Sequence, residues 1–90
     1  MLKISKVEPN NHAVTLRLEG RIVGPWVEEL RQVCHSVVAE SRTLQLQLAD
    51  VDYVDAEGVA LLVTLRSRDV SFADPPPFIT EQLKATDSLR

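Results

Sequence analysis

The sequence predicts an α/β fold. It has a four-stranded mixed sheet entered through a β-hairpin, in the order β-β-α-β-α-β-α, with the helices on one face. Three observations carry this prediction. Val14-Thr15-Leu16-Arg17-Leu18 and Leu44-Gln45-Leu46-Gln47-Leu48 alternate apolar and polar residues, the period of two that a half-buried strand requires. Between them, Trp26, Val27, Leu30, Val33, Cys34, Val37 and Val38 recur at helical spacing, with Glu28, Glu29, Arg31, Gln32 and His35 on the opposite face. Finally, Gln45 and Gln47 leave one side of their strand polar, whereas a strand covered by helices on both faces reads as continuously apolar. The helices therefore belong on one side of the sheet.

Each element has its own local signal. Leu2 and Ile4 alternate with Lys3 and Ser5 and start the first strand. Glu8-Pro9-Asn10-Asn11-His12 is a turn, because proline fixes φ and asparagine tolerates left-handed backbone. Val14, Leu16 and Leu18 then form the returning strand of a hairpin, and Gly20 ends it. Gly24-Pro25 opens the first helix, since proline is compatible with a first helical position; this helix is expected to end near Ser41. The third strand is expected from Thr43 to about Ala49. The second helix should start near Asp55 or Ala56 and run to about Arg66. Val70 and Phe72 mark a fourth short strand after the Ser67-Arg68-Asp69 turn. Asp74-Pro75-Pro76-Pro77 stiffens the chain and opens a last short helix, from which Phe78, Ile79 and Leu83 reach the core. Ala85 to Arg90 is expected to be a frayed tail. The two β-α-β units should be right-handed crossovers, and with strands added in one direction both helices land on the same face. No repeat or linker interrupts residues 1–90, which are expected to form one domain.

Composition narrows the function. The chain has 90 residues and a net charge of -3, which argues against nucleic-acid binding, because neutralising phosphates needs a basic face. A single cysteine, Cys34, permits no internal disulfide and fits a reducing compartment. The start lacks the apolar run of a signal peptide, and no stretch is long enough to span a bilayer, so a soluble cytoplasmic protein is expected. His12 and His35 have no metal-ligand spacing, and the three glycines form no phosphate-binding loop. Neither a metal nor a cofactor is expected. Cys34 sits on the apolar helix stripe, as a core residue rather than a nucleophile.

The stretch Asp50-Val51-Asp52-Tyr53-Val54-Asp55-Ala56-Glu57-Gly58 reads as a short acidic turn between the third strand and an apolar helix. Unpaired N–H groups at a helix start carry partial positive charge, and acidic residues there satisfy them. A phosphate can sit in the same geometry. Asp55 is the expected N-cap. Gly58 admits either a partner's backbone or a neighbouring strand to the first turn. The helix carries no charge between Gly58 and Arg66. Beyond the Leu61, Leu62 and Leu65 stripe, Val59 and Val63 form an apolar flank, available to a partner or to the other helices.

Two motifs and the element order place these residues in a family. Leu18-Glu19-Gly20-Arg21-Ile22 precedes the first helix, and Val54-Asp55-Ala56-Glu57-Gly58-Val59 follows the third strand. With β-α-β-α-β after the hairpin, the chain resembles a STAS domain, the fold of anti-anti-sigma factors. The first motif is similar to that family's leucine-x-glycine, the second to its hydrophobic-Asp-Ser-Ser-Gly-Leu turn. The resemblance covers nearly the whole chain, although the second helix and the segment after it look shorter than usual.

In members that act as switches, a kinase phosphorylates the serine before the glycine, and this releases the anti-sigma factor. Asp55 matches the family's aspartate and Gly58 its glycine, while Ala56 and Glu57 replace the two serines. Glu57 thus stands at the phosphorylatable position without a hydroxyl. Its charge of about -1, against roughly -1.5 to -2 for a phosphate, reads first as an acidic first-turn residue and second as a phosphate mimic. The resemblance implies a non-catalytic protein-interaction module in transcription regulation, an anti-sigma factor antagonist-like regulator. Its site would be Asp55, Ala56, Glu57 and Gly58, with Val59 and Val63 at the edge, and its partner an anti-sigma factor or kinase-like protein. It also implies an alternative, a STAS subunit of a lipid-transport ABC complex contacting its ATPase. The sequence leaves homodimerisation open.

Asp50-Val51-Asp52-Tyr53-Val54 also fits the Asp-x-Asp-x-Val pattern of magnesium-dependent haloacid-dehalogenase-like phosphatases. The further acidic motif that chemistry needs does not follow in the sequence, and the chain is too short for that fold. An enzyme is not expected.

Overall fold

The computed structural model describes residues 2–88. Its elements are β1 (Leu2–Val7), β2 (Ala13–Ile22), α1 (Pro25–Ala39), β3 (Thr43–Val54), α2 (Ala56–Ser67), β4 (Ser71–Ala73) and α3 (Pro77–Ser88). They build the predicted α/β architecture. One sheet has the order β1-β2-β3-β4, with β1 antiparallel to β2 and the remaining neighbours parallel. α1 packs on β2 and β3, α2 packs on β3, and α3 packs on α2. Val14, Leu16, Leu18, Leu44, Leu46 and Leu48 are buried beneath the helices, while Arg17 and Gln45 point to solvent from the other face. The polar alternation of the glutamines thus marks a bare sheet face, as expected.

β3 departs from its predicted end. It does not stop near Ala49; it continues to Val54, so Asp50 to Val54 are strand and not turn. The reason is a double slip in register. β2 keeps strict alternation, with Val14, Leu16, Leu18 and Ile22 all buried. On β3 the buried residues are Leu44, Leu46, Leu48, Val51 and Val54, so the period of two breaks after Leu48 and again after Val51. Pairing shows the same shifts: Arg17 faces Gln47 but Glu19 faces Asp50, and Gly20 faces Val51 but Arg21 faces Tyr53. Each shift places an extra residue in β3, as a β-bulge does. Bulges of this kind erase the alternation from which a strand is read.

The other boundaries move less. β4 is Ser71–Ala73, with Val70 buried just before it. α2 ends in a Schellman turn: Asp69 lies at φ 66°, its N–H donates to the Arg66 carbonyl, and the Val70 N–H donates to the Leu65 carbonyl. α3 reaches Ser88, past the start of the expected tail at Ala85; Leu89 and Arg90 lie outside the described residues. One apolar cluster joins sheet and helices, with Leu16, Leu30, Leu46, Leu62 and Ile79 among its fully buried side chains. Among the described residues, no helix is long and apolar enough to cross a membrane.

Candidate functional site

The C-terminal ends of β2 and β3 lie side by side, with Ile22 paired to Val54. The chain leaves each end directly into a helix, so the starts of α1 and α2 are neighbours. Asp55 ties them together. Its backbone N–H donates to the Ile22 carbonyl at 3.1 Å. Its Oδ1 accepts the Gly58 N–H at 2.8 Å, capping α2, and its Oδ2 accepts the Gly24 N–H at 3.0 Å. The Gly24 bond first, and the Gly58 bond after it, hold the Asp55 carboxyl below the usual aspartate range. The predicted N-cap is therefore correct, and the carboxylate has a second task that the sequence did not reveal.

Gly24 makes that second bond available. It precedes α1 at φ 53° and ψ -130°, in the positive-φ region that side chains rarely adopt. A Cβ there would touch nothing within 4 Å, so the constraint lies in the backbone alone.

Gly58 is constrained in the opposite way. An ideal Cβ would stand 2.6 Å from Val54 Cγ1, 2.8 Å from the Ile22 carbonyl oxygen and 3.1 Å from Ile22 Cγ2. Of the two uses the sequence left open for Gly58, the structure shows close approach of α2 to the strand ends. The glycine is buried and faces inward.

Ala56 and Glu57 are exposed on the first turn of α2, and Ala60 is exposed one turn on. Glu57 makes no ion pair among the described residues. Its carboxylate lies where the helix dipole favours negative charge. Val59 and Val63 are half-buried and pack against the core cluster. By helical spacing they occupy the flank of α2 away from the residues that face α1. The apolar surplus of α2 is thus partly consumed by packing.

The aspartates of the Asp-x-Asp pattern do not form a site with Asp55. Asp50 lies on the bare sheet face, where Arg17 Nη2 reaches its Oδ2 at 2.9 Å, and Arg17 also lies 3.6 Å from Glu19. Asp52 and Tyr53 are exposed. No group of three or more histidine, cysteine or acidic residues among the described residues is placed to hold a metal ion. Cys34 is buried, and desolvation pushes its thiol up to about 12, which leaves it protonated and unreactive at neutral pH.

The sequence reading singled out α2 and its preceding residues but missed the segment from Ile22 to Pro25, to which Asp55 is bonded. The Gly24-Pro25 pair was visible only as a helix start. The bond joining it to Asp55 spans 31 residues and has no local signature.

A comparison with curated proteins gives no match. The family described as Mlab, STAS domain matches residues 5–87, nearly the full length and including both β2-α1 and β3-α2 junctions. The chain belongs to the STAS domain family.

Proposed function

We propose that this STAS domain is a non-catalytic docking module, an anti-sigma factor antagonist-like regulator that binds its partner through the first turn of α2. The observation that carries this reading is the division of labour within that turn. Asp55 and Gly58 are engaged inside the fold, while Ala56 and Glu57 face solvent on a backbone clamped to the neighbouring helix start. The exposed pair is the contact surface, Asp55 and Gly58 set its shape, and Val59 and Val63 border it. Neither Ala56 nor Glu57 has a hydroxyl, so the docking is constitutive, without release by serine phosphorylation. The module works in the cytoplasm.

The same missing hydroxyl favours a second reading, a STAS subunit held against the ATPase of a lipid-transport ABC complex. A permanent subunit needs no phosphate-driven release.

Affinity co-purification from native cells, with partners identified by mass spectrometry, tests both readings on wild type, Glu57→Ser and Ala56→Arg. An anti-sigma or kinase-like protein retained by wild type supports the regulator, and an ABC ATPase supports the subunit. Ala56→Arg should lose either partner while keeping the wild-type melting temperature. Undiminished capture by Ala56→Arg would show that the partner docks elsewhere. Capture by Glu57→Ser alone would make Glu57 a releasing mimic of phosphate and end the constitutive reading.

A further inference from the structure

α1 and α2 are both crossover helices over parallel strands, so they run side by side in the same direction. Between them lies a groove of about 410 Å³. Cys34, Val38, Leu61 and Leu65 supply its apolar surface, and Arg31, His35 and Arg68 are its charged or basic groups. Among the described residues, no aspartate or glutamate lines it. In a chain with 13 acidic and 10 basic residues, that is a local reversal of charge. Arg31 is already paired with Glu28. Arg68 is exposed and has no ion pair among the described residues. The Thr64 hydroxyl donates to the Ala60 carbonyl within α2 at 3.0 Å, so it is not an anchor for a ligand.

We propose that this groove binds a slender anionic amphiphile, a medium-chain aliphatic carboxylate, with its carboxylate on Arg68 and its chain over Leu65, Leu61 and Cys34. The volume falls in the range of small-molecule sites, roughly 300–1,000 Å³. Its length along the helices, from Arg31 to Val38, is about 10 Å at 1.5 Å per residue, the reach of an extended acyl chain. The Arg68 guanidinium selects a carboxylate over an ammonium head. The groove lies on the α1 side of α2, away from Val59 and Val63, and the inference is independent of the partner proposed above.

The test is an amide NMR titration with decanoate, decyltrimethylammonium and butyrate on wild type, Arg68→Gln, Ala60→Phe and Lys3→Gln. Decanoate should give saturable shifts at Cys34, Leu61 and Leu65, with a Kd on the order of 100 μM from ordinary ligand efficiencies. The ammonium and butyrate should bind at least about tenfold more weakly. Arg68→Gln should lose about tenfold in affinity through the head. Ala60→Phe, which fills the groove from an exposed position, should abolish the shifts. Lys3→Gln, on the bare sheet face, should match wild type. Absence of shifts at millimolar decanoate, equal binding of the ammonium, or full affinity in a folded Arg68→Gln would each overturn the proposal.

Discussion

Asp55 connects two helix starts through two oxygens of one carboxylate, and this gives it a defined pH dependence. Its folded pKa is lowered, chiefly by the Gly24 N–H and next by that of Gly58. The unfolded value is about 3.9. Folding therefore favours the charged form. The stabilisation is complete above the unfolded pKa and is lost as pH falls through the folded one. Asp55→Ala should melt below wild type at pH 7 and pH 5, and the gap should narrow from pH 4 to pH 2. Asp55→Asn, with one amide oxygen in place of two carboxylate oxygens, should fall between them. Melting curves across this range decide the point. A gap at pH 2 as wide as at pH 7 would mean that charge contributes nothing to the clamp. The cap was legible because aspartate before an apolar helix run has a local meaning. The Gly24 bond was not, because it exists only once two strand ends are paired.

At the scale of elements, periodicity decided what could be read. α1 and the first halves of β2 and β3 carry unbroken patterns, and the structure puts each on its expected face. The second half of β3 carries Val51 and Val54 three residues apart, the spacing of a helix turn and not of a flat strand. The two bulges that cause this also have a use. They lengthen β3 against β2 so that Val54 arrives opposite Ile22, with Asp55 and Gly58 directly beyond. α2 then starts so close to the strand ends that only glycine fits at its third position. Gly58→Ala should destabilise the fold by about 1–3 kcal/mol of overpacking. That is despite the roughly 1 kcal/mol of helix propensity alanine gains over glycine. Chemical denaturation measures it directly. A neutral or stabilising Gly58→Ala would mean that α2 sits farther from Val54 and Ile22 than the structure shows.

Across the whole molecule, the apolar core and the proposed docking surface lie in different layers. The helices and sheet bury one apolar cluster, and α2 contributes to it through Leu61, Leu62 and Leu65. Its outer turn contributes Ala56 and Glu57 to solvent. Val59 and Val63 belong partly to the first group, so an aspartate at either position would disturb packing as well as any contact. They are poor probes of a surface for that reason. A protein of this size has about 5–15 kcal/mol of stability to lose. Leu62 is fully buried, and Leu62→Ala should cost about 2–5 kcal/mol through lost transfer energy and the cavity left behind. Glu57→Ala should stay within about 0.5 kcal/mol, as exposed substitutions do. Urea midpoints at constant slope would read both values. In the same preparations, Leu62→Ala should keep its partner as long as it is folded, whereas Ala56→Arg should lose the partner while folded. If instead binding follows the urea midpoint across all three variants, the layers are not separate. The first turn of α2 would then act only through the stability of the fold.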